Sequence, residues 1–453
     1  MKKLLEKQRA FFHSNQTKDI HFRIQQLQKL KTLLLSNQNR LNDAIAADFS
    51  KSPFETFTNE FALVFGDIDE ACRKLKKWSK RQRVRTNLVN FPAKSYIIPE
   101  PLGVALVIGA WNYPYQLSFA PAVAAIAAGN TVILKPSELP SHTSQIMAEL
   151  INGTFDPAFF QVVEGGITET TALLEERFDK IFFTGSPNVG RIVYQAAAKH
   201  LTPVTLELGG KSPAIFTEDA NLKMSIKRLI WAKFLNSGQT CIAPDYVLLP
   251  KAMQEEFLRL AKAEIEQAAY AVANGNYIRI INDRNVQRLA ALMDPTKVYS
   301  GGEVLEEERI IQPTLMRDVS FDDAIMQEEI FGPILPVLTY DSIDEAIREV
   351  KKREKPLSCY LFTNNTSLKN KLLNELSFGG GAVNEAIMHI SNSRLPFGGV
   401  GQSGTGSYHG EAGFRAFSHY KSILEKPAWF EPRLKYPPYS EGKLKWIKRL
   451  MGL

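Results

Sequence analysis

The run Gly103-Val104-Ala105-Leu106-Val107-Ile108-Gly109 decides the fold, because its apolar, β-rich residues lie between two glycines. Similar runs follow at Thr131-Val132-Ile133-Leu134 and Lys180-Ile181-Phe182-Phe183, and helical patterns occupy 120–128 and 189–200. Apolar strands that alternate with helices are typical of βαβ units and of a parallel sheet covered on both faces. The sequence therefore predicts an α/β protein.

The same pattern recurs on the carboxyl side of Gly209-Gly210, which is predicted to be a hinge between two α/β domains. A helix is expected near 221–235, a strand near 245–249 and a helix near 253–268, whereas residues 1–85 have a helical pattern. A chain of 453 residues is too long for a single compact core. Two domains are therefore expected.

The composition excludes several classes of protein. Three cysteines in so long a chain do not make a disulfide framework, which indicates a reducing compartment and a cytoplasmic location. No Cys/His cluster has metal-ligand spacing, so no metal site is predicted. Charged residues interrupt the first ten positions, and no run of about 18 uncharged apolar residues follows, so neither a signal peptide nor a membrane span is expected. The net charge of +7 includes a basic run at 73–85, interpreted as a solvated helix face and not as a nucleic-acid site.

The stretch Phe234-Leu235-Asn236-Ser237-Gly238-Gln239-Thr240-Cys241 indicates a nucleophilic thiol on a tight turn. Glycine lets the backbone bend there, and small or polar neighbours keep the sulfur accessible. Upstream, Leu206-Glu207-Leu208-Gly209-Gly210-Lys211-Ser212-Pro213 supplies a carboxylate, Glu207, as a candidate general base. The structural alternative for a lone cysteine is a buried, inert thiol.

These two motifs belong to a set of six, and together they resemble the aldehyde dehydrogenase superfamily over most of the chain. The other four are Ile108-Gly109-Ala110-Trp111-Asn112-Tyr113-Pro114, Leu134-Lys135-Pro136-Ser137-Glu138, Glu329-Ile330-Phe331-Gly332-Pro333 and Leu395-Pro396-Phe397-Gly398-Gly399. The phrases Ala110 to Pro114 and Cys241-Ile242-Ala243-Pro244-Asp245-Tyr246 are similar to the class 3 branch, which includes fatty and aromatic aldehyde dehydrogenases.

The resemblance implies a catalytic set of Cys241, Glu207 and Asn112. Cys241 would attack the aldehyde, and the Asn112 amide with the Cys241 N–H would stabilise the alkoxide, a contribution of roughly 3–4 kcal/mol. Hydride transfer to nicotinamide leaves a thioester, and Glu207 would activate the water that hydrolyses it. Glu329 is the alternative base, or a ligand of the nicotinamide ribose. Asn112 as a plain turn residue is the structural alternative.

The cofactor site differs from a Rossmann fingerprint, because Gly103 and Gly109 are wrongly spaced for G-x-G-x-x-G. By resemblance, Lys135 and Glu138 bind the adenosine ribose, and a carboxylate there favours NAD over NADP, with NADP as the alternative. Thr184, Gly185 and Ser186 join a strand to a helix, where backbone N–H groups receive a pyrophosphate, or they form an ordinary turn. Phe331 would pack near the nicotinamide, or in the core.

Six mostly apolar residues in or beside the motifs are candidates for the substrate pocket or, equally, for the core: Tyr113, Tyr115, Leu117, Trp231, Ile242 and Ile387. A pocket of this kind suits medium-chain, long-chain or aromatic aldehydes. The motifs contain no arginine that would bind a substrate carboxylate, which disfavours semialdehydes.

The domain interpretation follows the resemblance. We expect a Rossmann-like NAD(P)-binding domain (1–81 and 98–208) and a catalytic thiol domain (209–405). A small bridging or oligomerisation element (82–97 and 406–435) and a basic amphipathic tail (436–453) complete the chain. The class implies a homodimer. Residues 443–453 carry four basic and no acidic side chains among apolar ones, which predicts weak peripheral membrane contact or packing on protein.

Two other functions remain open from the residues alone. A cysteine esterase or thioesterase would use Cys241 and Glu207 without a cofactor. A non-catalytic binding protein is the other alternative, and the presence of Asn112, Glu207 and Cys241 together argues against it.

Overall fold

The computed structural model describes residues 1–453, and its strands include all the apolar runs that predict the α/β fold. The predicted strand at 245–249 begins one residue later, at Tyr246. The strands, β1 to β18 in chain order, are Gln82–Val84, Lys94–Pro101, Val104–Ile108, Thr131–Lys135, Phe160–Val162, Lys180–Thr184, Val204–Glu207, Pro213–Phe216, Tyr246–Pro250, Val298–Ser300, Val304–Leu305, Ile310–Ile311, Thr314–Met316, Ile334–Tyr340, Ser358–Phe362, Gly380–Val383, Gly404–Thr405 and Ser418–Glu425.

The amino-terminal helical region ends at Trp78 and not at the predicted residue 85, because β1 pairs antiparallel with β2. A π-helical turn, Phe57–Phe61, joins α4 to α5. The helices, α1 to α16, are Lys2–His13, Ile20–Ser36, Gln38–Phe49, Pro53–Thr56, Ala62–Trp78, Pro114–Ala128, Ser141–Thr154, Ile167–Leu174, Pro187–Ala198, Leu222–Phe234, Gln254–Ala268, Asp283–Ala291, Ile343–Lys351, Thr366–Glu375, Gly410–Ala416 and Glu441–Leu450.

A six-stranded sheet has the order β17-β7-β6-β3-β4-β5, with every pair parallel except β17 and β7. Its side chains alternate between two separate cores. On one face Val107 and Phe182 pack with Phe119 of α6, and on the other Leu106 and Phe183 pack with residues of α8 and α9. The sheet is therefore covered by helices on both faces, as predicted.

A seven-stranded sheet has the order β10-β13-β14-β9-β8-β15-β16 and is parallel except at the edge pair β10 and β13. Strands β7 and β8, on either side of Gly209-Gly210, belong to different sheets. The prediction of two parallel-sheet α/β regions is confirmed. The remaining pair, β11 and β12, forms a two-stranded antiparallel ribbon.

By proximity the chain forms two compact units. The larger contains Met1–Trp78 and Pro101–Ser418, and thus both large sheets. The smaller contains Ser79–Glu100 and His419–Leu453, with the three-stranded arrangement β1-β2-β18 and the helix α16. Residues 406–418, assigned from the sequence to the bridging element, lie in the larger unit, because Tyr408 and Phe414 are buried in its core. None of the helices has both the length and the apolar character that crossing a membrane requires.

Candidate active site

Asn112 lies between the end of β3 and the start of α6, and a buried ion pair supports this position. The Glu60 carboxylate accepts hydrogen bonds from the N–H groups of Tyr115 (2.8 Å) and Gln116 (3.3 Å), in the first turn of α6. Its other oxygen accepts from Lys51 Nζ at 2.8 Å, and both charged side chains are fully buried. A carboxylate at a helix N-terminus satisfies free N–H groups and interacts favourably with the helix dipole.

The thiol loop, residues 235–241, follows α10 and has an unusual backbone. Asn236 and Ser237 have φ values of 56° and 53°, and Gly238 has φ 70°. A Cβ added at Gly238 would lie 2.3 Å from the carbonyl oxygen of Gly332, so a larger residue does not fit there. Cys241 emerges from this turn half-buried.

Two hydrogen bonds join Asn112 to the thiol loop. The Asn112 Nδ2 group donates to the carbonyl of Gln239 at 3.0 Å, and Asn236 Nδ2 donates to the carbonyl of Asn112 at 3.1 Å. The Tyr113 hydroxyl also pairs with Thr240 Oγ1 at 2.6 Å. The structure therefore brings the predicted oxyanion donor within two residues of the predicted nucleophile.

Cys241 lies in surroundings that favour its neutral form. Burial raises the pKa of the thiol well above its usual range, and the charges of Glu329 and Glu207 raise it further. The N–H groups of Cys241 and Ile242 act in the opposite direction. A thiol of this kind requires a base or an added positive charge before it reacts.

Glu207 ends β7 and is almost fully buried. Its backbone is held on both sides, since Gly185 N–H donates to its carbonyl at 3.0 Å and β17 pairs with it through Gly404. Neither carboxyl oxygen has a hydrogen-bond partner. Burial without compensation raises the pKa of Glu207 well above its usual range.

Glu329 approaches the thiol loop from the loop before β14. Burial and the charge of Asp245 raise the pKa of its carboxyl to about 8, although the Gly210 N–H and Lys211 act in the opposite direction. A Cβ added at Gly209 would lie 1.9 Å from Oε2 of Glu329, so this carboxyl lies directly on the glycine backbone. Two carboxyl groups with raised pKa values beside one thiol are typical of a catalytic centre.

The Asp245 carboxylate fixes the loop that carries Glu329. Its Oδ1 accepts from the N–H of Ile330 at 2.9 Å, and its Oδ2 accepts from Lys211 Nζ. Phe331, with φ 51°, makes an edge contact with Trp111 at 5.3 Å between ring centroids. The predicted residues of this loop therefore lie beside both the Asn112 turn and the thiol loop.

The other predicted cofactor residues follow β4 and β6, at the edge of the sheet that also carries Asn112 and Glu207. The buried Lys135 Nζ donates to the Pro136 carbonyl at 2.6 Å and lies 3.8 Å from Glu138 Oε2, and burial lowers its pKa. The Thr184 hydroxyl is buried without a partner. Ser186 Oγ accepts from the N–H of Val189 at 3.4 Å and so caps α9. Carboxyl ends of parallel strands are where such sheets bind ligands.

Of the six candidate substrate residues, Tyr113 and Ile242 lie at the thiol loop, because Tyr113 pairs with Thr240 and Ile242 follows Cys241. Tyr113, Leu117 and Ile242 are buried, as is Ile387 after β16. Tyr115 lies in the core, where it stacks between Phe61 and Phe119 and donates its hydroxyl to the Leu41 carbonyl at 2.7 Å. Trp231 is 41% exposed on α10.

Sequence reasoning missed the supporting residues Lys51, Glu60 and Asp245. Asp245 stands within the Cys241 motif, so its proximity to the nucleophile was a usable signal. Lys51 and Glu60 lie in a helical region with many charged residues, where nothing in the pattern separates a buried pair from solvated ones.

Comparison with known proteins shows the family of this chain. The family model described as "Aldehyde dehydrogenase family" matches residues 1–423. The chain is 47% identical to 4,4'-diaponeurosporen-aldehyde dehydrogenase of Staphylococcus aureus, over 97% of this chain and 96% of that protein. It is 43% identical to aldehyde dehydrogenase family 3 member A2 of Rattus norvegicus, with coverages of 99% and 93%. The rat enzyme named "Aldehyde dehydrogenase, dimeric NADP-preferring" is 44% identical, with coverages of 96% and 97%.

Solved structures agree as well. The substrate-bound state of Staphylococcus aureus AldH superimposes with a TM-score of 0.97 at 45% identity, covering 99% of both chains. A Mycobacterium tuberculosis aldehyde dehydrogenase complexed with NAD⁺ gives a TM-score of 0.85 at 27% identity, with coverages of 94% and 90%. The resemblance to the class 3 branch, expected from the phrases Ala110 to Pro114 and Cys241 to Tyr246, is confirmed, and the chain belongs to the aldehyde dehydrogenase family.

Proposed function

We propose that this protein oxidises aldehydes to carboxylic acids with NAD or NADP, and that Cys241 is its nucleophile. One observation carries the proposal: the Asn112 amide is hydrogen-bonded to the thiol loop, while the carboxyl groups of Glu207 and Glu329 both raise the pKa of the Cys241 thiol. A thiol, an amide donor and a buried base are what aldehyde oxidation through a covalent intermediate requires.

In the first step Cys241 loses its proton to the carboxylate of Glu207 or Glu329. The sulfur then forms a bond to the carbonyl carbon of the aldehyde. The π electrons of the carbonyl move to oxygen, and the resulting alkoxide accepts hydrogen bonds from the Asn112 amide and the Cys241 N–H. Such donors contribute roughly 3–4 kcal/mol to the transition state. The tetrahedral carbon can then release hydride more readily than a planar carbonyl.

The residues around the carboxyl ends of β4 and β6 fit a dinucleotide. Lys135 offers a buried ammonium, Thr184 a buried hydroxyl without a partner, and α9 a capped amino end next to Gly185 and Ser186. Lys135 and Glu138 would bind the adenosine ribose. A nicotinamide, when bound, would supply the hydride acceptor, and Glu329 and Phe331 are the residues that would contact it.

In the second step Glu207 takes a proton from water, the hydroxide adds to the thioester carbonyl, and the C–S bond breaks to release the acid. Glu329 is the alternative base. Glu207→Gln should therefore give a burst of NADH followed by slow turnover, while Cys241→Ala should lower turnover by roughly 10³-fold or more. Unchanged steady-state turnover in Glu207→Gln would move the base role to Glu329.

The proposed substrates are medium-chain or long-chain aliphatic or aromatic aldehydes. Support comes from the buried apolar residues Tyr113, Leu117, Ile242 and Ile387, and from a relative named for 4,4'-diaponeurosporen-aldehyde. Aldehydes of increasing chain length, assayed with NAD and with NADP, test this. A KM that rises with chain length would contradict an apolar pocket.

A homodimer in the cytoplasm, with weak membrane contact through the tail, completes the proposal. One relative is named as dimeric, and the smaller unit exposes Leu88, Phe91 and Trp429 at 81%, 70% and 80%. Sedimentation equilibrium tests the dimer. Membership in the family gives no support to the esterase alternative.

A further inference from the structure

Four polar side-chain atoms near the end of β7 are buried without hydrogen-bond partners. They are both carboxyl oxygens of Glu207, the hydroxyl of Tyr408 and Nε2 of Gln116. The three residues are 3%, 1% and 2% exposed. Because buried polar groups almost always find partners, an acceptor pair and two donors left unpaired in one region need an explanation.

These side chains share one face of the six-stranded sheet. Glu207 and Thr205 are two residues apart in β7, so they point to the same side, and Thr205 is the register partner of Phe182 in β6. The Phe182 ring contacts the Tyr408 ring at 4.9 Å between centroids. The helix that covers this face is α6, which carries Gln116.

The backbone fixes the position of Tyr408. Its N–H donates to the Phe397 carbonyl at 2.8 Å, and Phe397 N–H donates back at 3.1 Å. His409 stacks on the Tyr408 ring at 4.1 Å and contacts Asp67 through Nδ1 at 3.2 Å. A ring held in this way directs its hydroxyl with little freedom to turn away.

The electrostatics indicate that the three groups interact. Burial raises the pKa of Tyr408 well above its usual range, the charge of Glu207 raises it further, and the nearby Gln116 side chain acts in the opposite direction. A phenol that stays protonated at every working pH is a permanent donor.

We propose that the Tyr408 hydroxyl and the Gln116 amide donate hydrogen bonds to the ionised Glu207 carboxylate and so set the pH at which Glu207 acts as a base. This rests on the proposed function, in which Glu207 activates the hydrolytic water. Donors to the charged form of an acid favour that form. Without them, a buried carboxylate would retain its proton and would not accept one from water.

Other titratable groups surround these three residues, and none of them donates to the Glu207 carboxyl. They are Cys241 and Glu329 near the thiol, Asp67 and His409 beside Tyr408, and Glu60 with Lys51 at the start of α6. Buried Lys180 lies on the same face and donates to Thr205 Oγ1 at 2.8 Å. Lys51 is already paired with Glu60. The Thr184 hydroxyl, opposite Glu207 in β6, is also unpaired and is assigned above to the dinucleotide site. Tyr408 and Gln116 are the other unpaired donors considered for Glu207, as positioning residues that act through it.

The test is the pH dependence of acyl-enzyme hydrolysis. A single turnover of octanal with NAD is quenched at successive times, and the acylated peptide that contains Cys241 is quantified by mass spectrometry. In Tyr408→Phe the apparent pKa of the acid limb of the hydrolysis rate should rise by about one unit. At pH values below that pKa, the rate should therefore be roughly tenfold lower than in the wild type. Gln116→Met should shift this apparent pKa in the same direction, and it provides the test if Tyr408→Phe does not fold. At high pH both variants should approach the wild-type rate.

Tyr340→Phe is the matched control, because it removes another buried hydroxyl that donates at 2.6 Å, to the Phe216 carbonyl in the other sheet. Its pH profile should equal that of the wild type. Wild-type profiles in both Tyr408→Phe and Gln116→Met, with hydrolysis blocked in Glu207→Gln, would overturn this proposal alone. Wild-type hydrolysis in Glu207→Gln would instead overturn the base role on which it rests.

Discussion

Glu329 ionises in surroundings that disfavour its charge, and this makes stability depend on pH. The pKa of its carboxyl is raised by burial from 4.5 to about 8. Between these values the folded protein keeps a proton that the unfolded chain releases. The free energy of unfolding therefore falls as pH rises through this window, because the unfolded state binds fewer protons.

Glu329→Gln should remove that penalty. We expect the cofactor-free variant to match the wild type near pH 4.5 and to be more stable by about 1 kcal/mol or more at pH 8, since one pKa unit corresponds to about 1.4 kcal/mol. Urea unfolding at several pH values measures this. The control is Glu328→Gln, whose side chain is 56% exposed beside Arg288. A difference that does not change with pH would contradict the prediction.

At this scale the sequence identifies the residue types of the candidate site but not their burial or their pKa values. Cys241, Glu207, Asn112 and Glu329 stand in motifs whose chemistry is readable. The raised pKa values arise from burial and from nearby carboxylates, Glu329 and Glu207 for the Cys241 thiol and Asp245 for Glu329, and no motif encodes those.

At the scale of elements, the start of α6 depends on the buried pair of Lys51 and Glu60. Glu60 accepts two helix N–H groups as well as the ammonium. A buried ion pair adds little to stability relative to apolar residues, but the loss of one partner leaves an uncompensated charge.

Glu60→Ala should therefore destabilise the protein by about 3–5 kcal/mol, and turnover should fall because the helix begins two residues after Asn112. Urea unfolding measures the first effect. The control is Glu149→Ala, which removes an exposed ion pair with Arg40. The side chain of Glu149 is 60% exposed and that of Arg40 is 49% exposed. That loss should cost under about 1 kcal/mol. Equal losses in the two variants would show that the buried pair has no special role.

Among the elements predicted from periodicity, β3, β4, β6 and β9 are strands as expected, because strands covered on both faces are continuous apolar runs. The exception is Gln82–Val84, which looked helical because its neighbourhood is basic and poor in glycine. It became a strand because β2 supplies backbone hydrogen bonds, a long-range effect that overrides local propensity.

At the scale of the whole molecule, the carboxyl-terminal helix α16 presents basic and apolar side chains together. Its residues are not buried, Trp446 and Leu450 are 59% and 60% exposed, and Ser440 caps its amino end. Attraction to anionic lipid is worth about 1 kcal/mol per basic residue near the surface and is screened by salt.

Deletion of residues 443–453 should abolish co-sedimentation with phosphatidylserine vesicles, and high salt should abolish it for the full chain. The charge-matched variant Trp446→Ser with Leu450→Ser should weaken binding, because it removes apolar contact while keeping the basic residues. Retained binding after the deletion would exclude the tail as the membrane contact.

The sequence by itself determined the fold class and the family and predicted the reacting groups, because strand periodicity and short motifs are local properties. Only the tertiary structure decided that the carboxyl oxygens of Glu207 and the hydroxyl of Tyr408 are buried without hydrogen bonds, that Tyr115 is a core residue, and that Lys51 and Glu60 are buried together. These facts depend on groups far apart in the chain, and their energies depend on exclusion of water. Neither can be read from a residue and its neighbours.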